Sequence, residues 1–414
     1  MIRNLLFTIL ALCASLPMHA TFTVDGISYE IIEDSQNVSV AAGTLTYSGD
    51  IVIPPTVTYD NCTYKVTTIG NSAFTNSTDL TSVAFPESLT KIGSYAFYGC
   101  SGLTALSLPN SLTLIDEAAF GACTGLKSVS FPESLTKMGE AAFIDCTGLT
   151  SVTLPESLTT MYRNVFYGCT GLKSVALPKS LTLINQSTFY GCTSLTSVSF
   201  PESLTNIGKY AFYGCTSLTS LALPKPLSTI DKGAFQNCTG LTSVTFPESL
   251  TQINESAFQG CTDLTLVAFP ASLTTLGWYT FSGCTSLKSA SFSKSTKCKY
   301  TGYHTFEGCT ALTSVTFSDS QNQISPYTFK DCTGLTSVTL PESLATIENE
   351  AFSGCIGLKS VTFPDALTTI GNKAFYGCAG LTSIFIPSTV KSIGSAVFGG
   401  CTGLKKIGIP QYDV

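Results

Sequence analysis

Histidine is almost missing from this chain: two occur in 414 residues, His19 and His304. His19 lies in a leader expected to be removed. The single remaining imidazole is poor material for a Ser/His/Asp or Cys/His nucleophile, so no enzyme and no cofactor are expected. Charge is scarce as well, at 12% Asp, Glu, Lys and Arg, about half the usual share. The formal net charge is −6, which leaves no basic footprint for nucleic acid or an anionic membrane. None of the seventeen cysteines forms a C-x-x-C pair, which argues against a zinc framework and any other metal site. Beyond residue 20 no apolar run approaches the roughly 20 residues of a membrane span.

The first twenty residues read as a cleaved secretory signal peptide. Arg3 supplies the positive start, Leu5 to Leu16 the apolar stretch and Met18-His19-Ala20 the exit before Thr21. Leu12 stands before Cys13, where a lipid-anchored precursor wants a small residue. Soluble export is therefore expected, to the exterior, the cell surface or the periplasm.

What the chain does have is a repeat. From residue 70 to 414 it runs in 23-residue copies, and a phenylalanine marks each of the fifteen, from Phe74 and Phe97 to Phe375 and Phe398. The one irregular interval is 25 residues, between Phe281 and Phe306. A fixed period of this kind means a solenoid, in which each coil buries its apolar face only against neighbours. In Leu149-Thr150-Ser151-Val152-Thr153-Leu154-Pro155, apolar residues alternate with hydroxyls, the pattern of a half-buried strand. The proline lacks an N–H and ends the ladder; Ser293 and Ser318 are its two exceptions.

A short helical turn is expected around each phenylalanine. Four residues before it stand capping types such as Gly93, Asp116, Asn185 and Ser325, preceded by an apolar residue such as Ile92, the spacing of an N-cap with a hydrophobic staple. Two residues after it comes Gly, Asn or Asp, with Ala122 the exception, so a left-handed close is expected. Residues 21–69 carry strand-like segments, Phe22-Thr23-Val24 and Ile51-Val52-Ile53, and a hairpin signal at Asp60-Asn61-Cys62. They read as a small β cap with a first partial repeat.

The pattern Phe-x-x-Cys-x-x-Leu-x-x-Val-x-Phe/Leu-Pro at 23-residue spacing resembles the BspA-like class of leucine-rich repeats, found on bacterial and some protist surfaces. The match spans residues 70 to 410, and the segment Phe22 to Tyr29 is similar to the start of such proteins from Bacteroidetes. The resemblance implies a leucine-rich-repeat solenoid, one short parallel strand and one helical turn per coil. It also implies adhesion to host matrix proteins or other bacteria. It carries over no catalytic or ligand-binding residues.

Candidate sites come from departures from the repeat. Fourteen cysteines share one column, Cys100 to Cys401, and read as a buried ladder of reduced thiols. The glutamates after the column proline, such as Glu133 and Glu156, read as a solvated rim, with a calcium ion as the alternative. The strand face of Ser151, Thr153 and their counterparts is neutral and monotonous, the only basis for an ice-binding reading. Tyr167, Tyr190 and Tyr213 follow the phenylalanine in three successive coils and are expected to form an exposed stack. Around the irregular interval, Trp278 and Tyr303 share one column and Tyr279 and His304 the next, with Lys294, Lys297, Lys299 and Tyr300 nearby. This cluster is the candidate site for a protein or a sugar; its alternative is a tolerated repeat error patched by aromatics. The function expected is an exported, monomeric adhesion scaffold for extracellular host or bacterial proteins or glycans. A structural envelope spacer is the alternative, and ice binding or hydrolysis stand behind it.

Overall fold

The computed structural model describes residues 21–33, 35–298 and 301–409; the expected signal peptide, Lys299 and Tyr300 lie outside them. The chain divides into two compact units, Met1–Leu181 and Thr182–Val414. Each is a stack of parallel-stranded coils.

The first unit opens with β1 (Thr21–Val24), β2 (Ile27–Ile31), β3 (Asn37–Val40), β4 (Gly49–Val52), β5 (Thr56–Tyr59) and β6 (Cys62–Ile69). The β5–β6 hairpin turns through Asp60 and Asn61, with φ of 49° and 58°, the left-handed pair that a two-residue hairpin needs. β1, β2 and β3 extend the sheet beyond β6, and β4 lies parallel to Leu80–Ala84. The N-terminal end of the stack is thus covered on its strand sides. Tyr47 lies against Phe74 at 4.6 Å between ring centroids and covers the first phenylalanine.

In most coils a three-residue front strand shows one buried residue between two exposed ones, as in Ser128–Ser130 and Ser243–Thr245. After the proline corner comes a two-residue side strand such as Lys137–Met138 or Gln252–Ile253, which buries its second residue. Both columns pair in parallel at an offset of one repeat: Ser151 opposite Ser174, Ile230 opposite Ile253.

The third side of the coil corrects the sequence expectation. No described residue is helical, and the reason lies in the backbone donors. Around Phe97, Ala96, Tyr98 and Cys100 donate three residues back within the coil. Tyr95, Phe97 and Gly99 instead donate to Glu117, Ala119 and Gly121 of the next coil at 2.7–2.8 Å. The second unit repeats this, with Gly233, Phe235 and Asn237 donating to Glu255, Ala257 and Gln259. A helix would spend every N–H along its own axis; here alternate ones point along the stack. The chain turns them by entering the left-handed region twice per coil, two residues before and two residues after the phenylalanine, in all fifteen coils. The second of these is the expected left-handed close, Ala122 included at φ 54°. The first has no counterpart in the sequence expectation. The supposed caps serve elsewhere: Ser325 donates its hydroxyl to the Thr301 carbonyl of the preceding coil, and Asp116 pairs with Lys91 of the preceding coil at 3.1 Å.

The core is a set of columns. Phe74 to Phe166 stack in the first unit at 4.8–5.7 Å between centroids. Phe189 to Phe398 do so in the second, including 5.7 Å across the irregular interval. Each phenyl from Phe97 to Phe375 is fully buried. The column cysteines are buried thiols, except Cys401, which is half-buried. They donate to the phenylalanine carbonyl of the preceding coil, as Cys123 does to Phe97 and Cys238 to Phe212, at 3.2 and 3.1 Å. Burial pushes the Cys238 and Cys284 thiols up to about 12.

Candidate functional site

In the column three residues before the phenylalanine, most coils place a polar or charged side chain outward: Glu117, Glu140, Arg163, Lys209, Lys232, Glu255, then Asn349 and Asn372. Several are tied across coils, Arg163 to Glu140 at 2.7 Å and Lys232 to Glu255 at 2.9 Å. Three consecutive coils break the pattern with Trp278, Tyr303 and Pro326. Trp278 and Tyr303 are 54% and 43% exposed, high for residues of that size.

The next column, mixed in other coils (Tyr95, Ala118, Ser187, Tyr210, Gly233), holds Tyr279, His304 and Tyr327 in the same three. All three occupy the left-handed region, at φ 55°, 57° and 61°, where a bulky residue is costly. Every coil is left-handed at this position, so the conformation belongs to the fold and not to the site. Stacking offsets part of the cost. Tyr279 and His304 lie 4.4 Å apart at 10°, and His304 and Tyr327 4.4 Å apart at 3°. Trp278 and Tyr303 lie 5.2 Å apart at 13°. One coil spacing is about 4.8 Å, so rings on adjacent coils fall into contact without further adjustment.

His304 Nδ1 meets Glu307 Oε2 at 2.8 Å. Lys330 sits 5.3 Å from the Tyr327 ring centroid and bonds Glu350 at 2.9 Å; that hydrogen bond raises the lysine above its ordinary value.

The two extra residues fall at the corner before this patch. Front strands keep register, Ser289 opposite Ser314. Ser320 Oγ donates to the Thr296 carbonyl at 2.8 Å, and Tyr279 N–H donates to Tyr303. The insertion is therefore confined between Thr296 and Tyr303. There Thr296 and Gln321 replace the core leucine of other coils and are 1% exposed. Thr296 donates to Pro270 and Gln321 to Gln323, as buried polar groups must. Both missing column prolines, at Ser293 and Ser318, belong to this corner. An open recess of about 540 Å³ results, lined by Lys294, Ser295, Thr296, Lys297, Asp319 and Ser320.

The structure thus brings Trp278, Tyr279, Tyr303 and His304 together and places Lys297 on the adjoining corner. Sequence reasoning missed Pro326, Tyr327, Glu307 and Lys330. Reading the two columns onward by one period finds the first two. Tyr190 and Tyr213 stack at 4.4 Å and 6° but are half-buried, and Asn237 Nδ2 donates to the Tyr213 hydroxyl at 3.0 Å. Tyr167, also half-buried, belongs to the first unit. In the glutamate column, Glu156 accepts the Lys179 backbone N–H at 2.8 Å and Glu87 that of Asn110 at 3.2 Å. Those carboxylates complete the backbone where the proline corner leaves donors open.

A model of the BspA type leucine rich repeat region matches in overlapping segments from residue 56 to residue 412. The chain belongs to the BspA-type leucine-rich repeat family. A leucine-rich repeat protein from Bacteroides ovatus is 31% identical, with a TM-score of 0.77 over 93% of this chain and 94% of that one. A leucine rich cell surface protein from Faecalibacterium prausnitzii is 26% identical, with a TM-score of 0.52 over 96% of each. The pneumococcal vaccine antigen PcpA, 19% identical with a TM-score of 0.51 over 81% of this chain and 95% of that one, shares the fold. No curated protein matches the chain. A BspA-type repeat is a scaffold, and no described helix is long and apolar enough to cross a membrane.

Proposed function

We propose that this BspA-type chain is an exported recognition scaffold that attaches to extracellular proteins or glycans through the aromatic patch of three consecutive coils. The observation that carries the reading is that three consecutive coils replace polar side chains by Trp278, Tyr303 and Pro326 in one column and stack Tyr279, His304 and Tyr327 in the next. Trp and Tyr are the residue types that dominate binding energy, and exposing them without a partner is unfavourable. Export is supported by the N-terminal pattern and by the similarity to a cell surface protein.

The test is binding of purified chain to immobilised matrix proteins, mucins and bacterial cells, beside the double variant W278A/Y303A. Retention of the wild-type chain and loss in the variant are expected. Silence of the wild-type chain across the panel would overturn the proposal. That outcome would favour the second reading, an envelope spacer, which the uniform hydroxyl face of the front strands supports.

A further inference from the structure

Lys294 and Lys297 lie in the one coil whose length departs from the repeat, and the aromatic patch spans that coil and its two neighbours. Lys297 and Tyr303 are six residues apart in sequence, hence within about 20 Å even if the chain between them were fully extended. One ligand of modest size spans both.

The two halves differ in chemistry. In the patch, each ring of the Tyr279–His304–Tyr327 stack and of the Trp278–Tyr303 pair covers a neighbour's face at 4.4–5.2 Å. The faces so paired are closed to a ligand, and neither the Trp278 indole N–H nor the hydroxyls of Tyr279, Tyr303 and Tyr327 have a hydrogen-bond partner among the described residues. A sugar platform uses an open aromatic face under a pyranose, and here the inner faces are taken. Ring edges carry positive potential, and with N–H and O–H donors beside them they suit backbone carbonyls and apolar side chains. The groups next to the patch already have partners, Glu307 a hydrogen bond to His304 and Lys330 an ion pair with Glu350, so this half takes a neutral segment.

In the recess, Lys294 and Lys297 are exposed and have no ion-pair partner among the described residues. Some other lysines do have one, as Lys91 with Asp116 and Lys232 with Glu255. The position after the column proline is glutamate in six coils, Glu87, Glu133, Glu156, Glu202, Glu248 and Glu342, and lysine in two regular ones, Lys179 and Lys225; this coil adds Lys297 three residues after Lys294. Asp319 offsets one of the two positive charges. The recess is a local positive site on an acidic molecule.

We infer that the irregular coil is a two-part polypeptide site: Trp278, Tyr303 and Tyr279 take an apolar segment, and Lys294 and Lys297 take acidic side chains flanking it. The inference rests on the reading of the patch given above and narrows it to one ligand class.

The test uses the full chain on an array of 15-residue peptides that pair a Leu/Trp/Pro-rich segment with Glu/Asp, Gln/Asn or Lys flanks, and on a glycan array. Acid-flanked peptides are expected to bind best. W278A/Y303A should lower their affinity about 30-fold or more at any salt, as loss of a binding hot spot does. K294A/K297A should lower it about 10-fold at low salt and little at high salt, because screening removes the exposed charge contribution. Unchanged melting temperatures in both variants show that the fold is intact. Peptide binding indifferent to the flank, or to K294A/K297A at low salt, overturns the two-part site and leaves the aromatic patch standing. Glycan binding that W278A/Y303A abolishes, with no peptide binding, overturns the polypeptide class while the recognition scaffold stands. Peptide binding unchanged in both variants overturns the site itself.

Discussion

A phenylalanine, a cysteine and a left-handed residue carry the energetics of each coil. Truncating an interior ring, Phe258→Ala, removes a side chain stacked at 5.3 Å on both sides. A cost of about 3–5 kcal/mol is expected, read from urea unfolding. The thiols set the alkaline limit. Their folded-state values lie above the unfolded one, at about 12 for Cys100, Cys238, Cys284 and Cys378, because burial opposes the thiolate. A raised value means stability complete below the unfolded thiol value, about 8.5, and lost as pH climbs from there toward 12. Melting temperature should be flat near neutrality and fall steeply through that window. A chain equally stable at pH 7 and pH 11 would contradict the buried ladder. The column thiols should also resist a thiol reagent at pH 8 until the chain is unfolded. Among the left-handed positions two residues after each phenylalanine, Ala122 is the one outside the Gly, Asn and Asp set. Ala122→Gly relieves roughly 1–2 kcal/mol of strain and adds unfolded-chain freedom, for a net gain of about 0.5–1 kcal/mol in unfolding free energy. Gly168→Ala does the reverse, since a Cβ there would run into the Asp145 carboxylate.

At the scale of the element, the front strand was legible in the alternation of Ser151, Val152 and Thr153, and the proline ends it for the reason given by its missing donor. The turn segment was misread. Gly93 followed by Ser94, Tyr95 and Ala96 has the residue types of a capped helix, and an isolated segment with those types has no other use for its N–H groups. In the stack the next coil offers carbonyls at the right spacing, and alternate donors take them. Propensity lost to a partner that exists only because the sequence repeats. The same partner gives Asn372 its role, accepting from Ser395 at 2.7 Å and donating its own N–H to Asn349 at 2.8 Å. Asn372→Ala should cost about 1 kcal/mol, seen as faster amide exchange at Ser395. An unchanged exchange rate there would mean the bridge is not formed.

For the molecule as a whole, dependence on nearest neighbours makes coils interchangeable. Deleting residues 213–235, one period within the second unit, joins Phe212 to Gln236 in phase. The shortened chain should keep its far-UV circular dichroism shape and unfold in urea with a smaller m-value, in proportion to the surface lost. Loss of the folded signal would show that coils are not independent modules. Deleting 279–303 instead removes the irregular coil and should abolish ligand binding while leaving a folded chain.

The period, the column identities and the position of the irregularity were determined by the sequence alone, because a solenoid repeats in space what the chain repeats in order. So was membership of the BspA-type family, carried by the spacing of Phe, Cys, Leu, Val and Pro. Only the tertiary structure decided that the segment around each phenylalanine is a ladder of turns and not a helix, since the deciding hydrogen bonds join residues about one period apart. It also decided that rings of neighbouring coils stack face to face, Tyr279 on His304 and His304 on Tyr327 at 4.4 Å. Those properties depend on which side chains face one another across coils, and nothing within a single 23-residue copy specifies that.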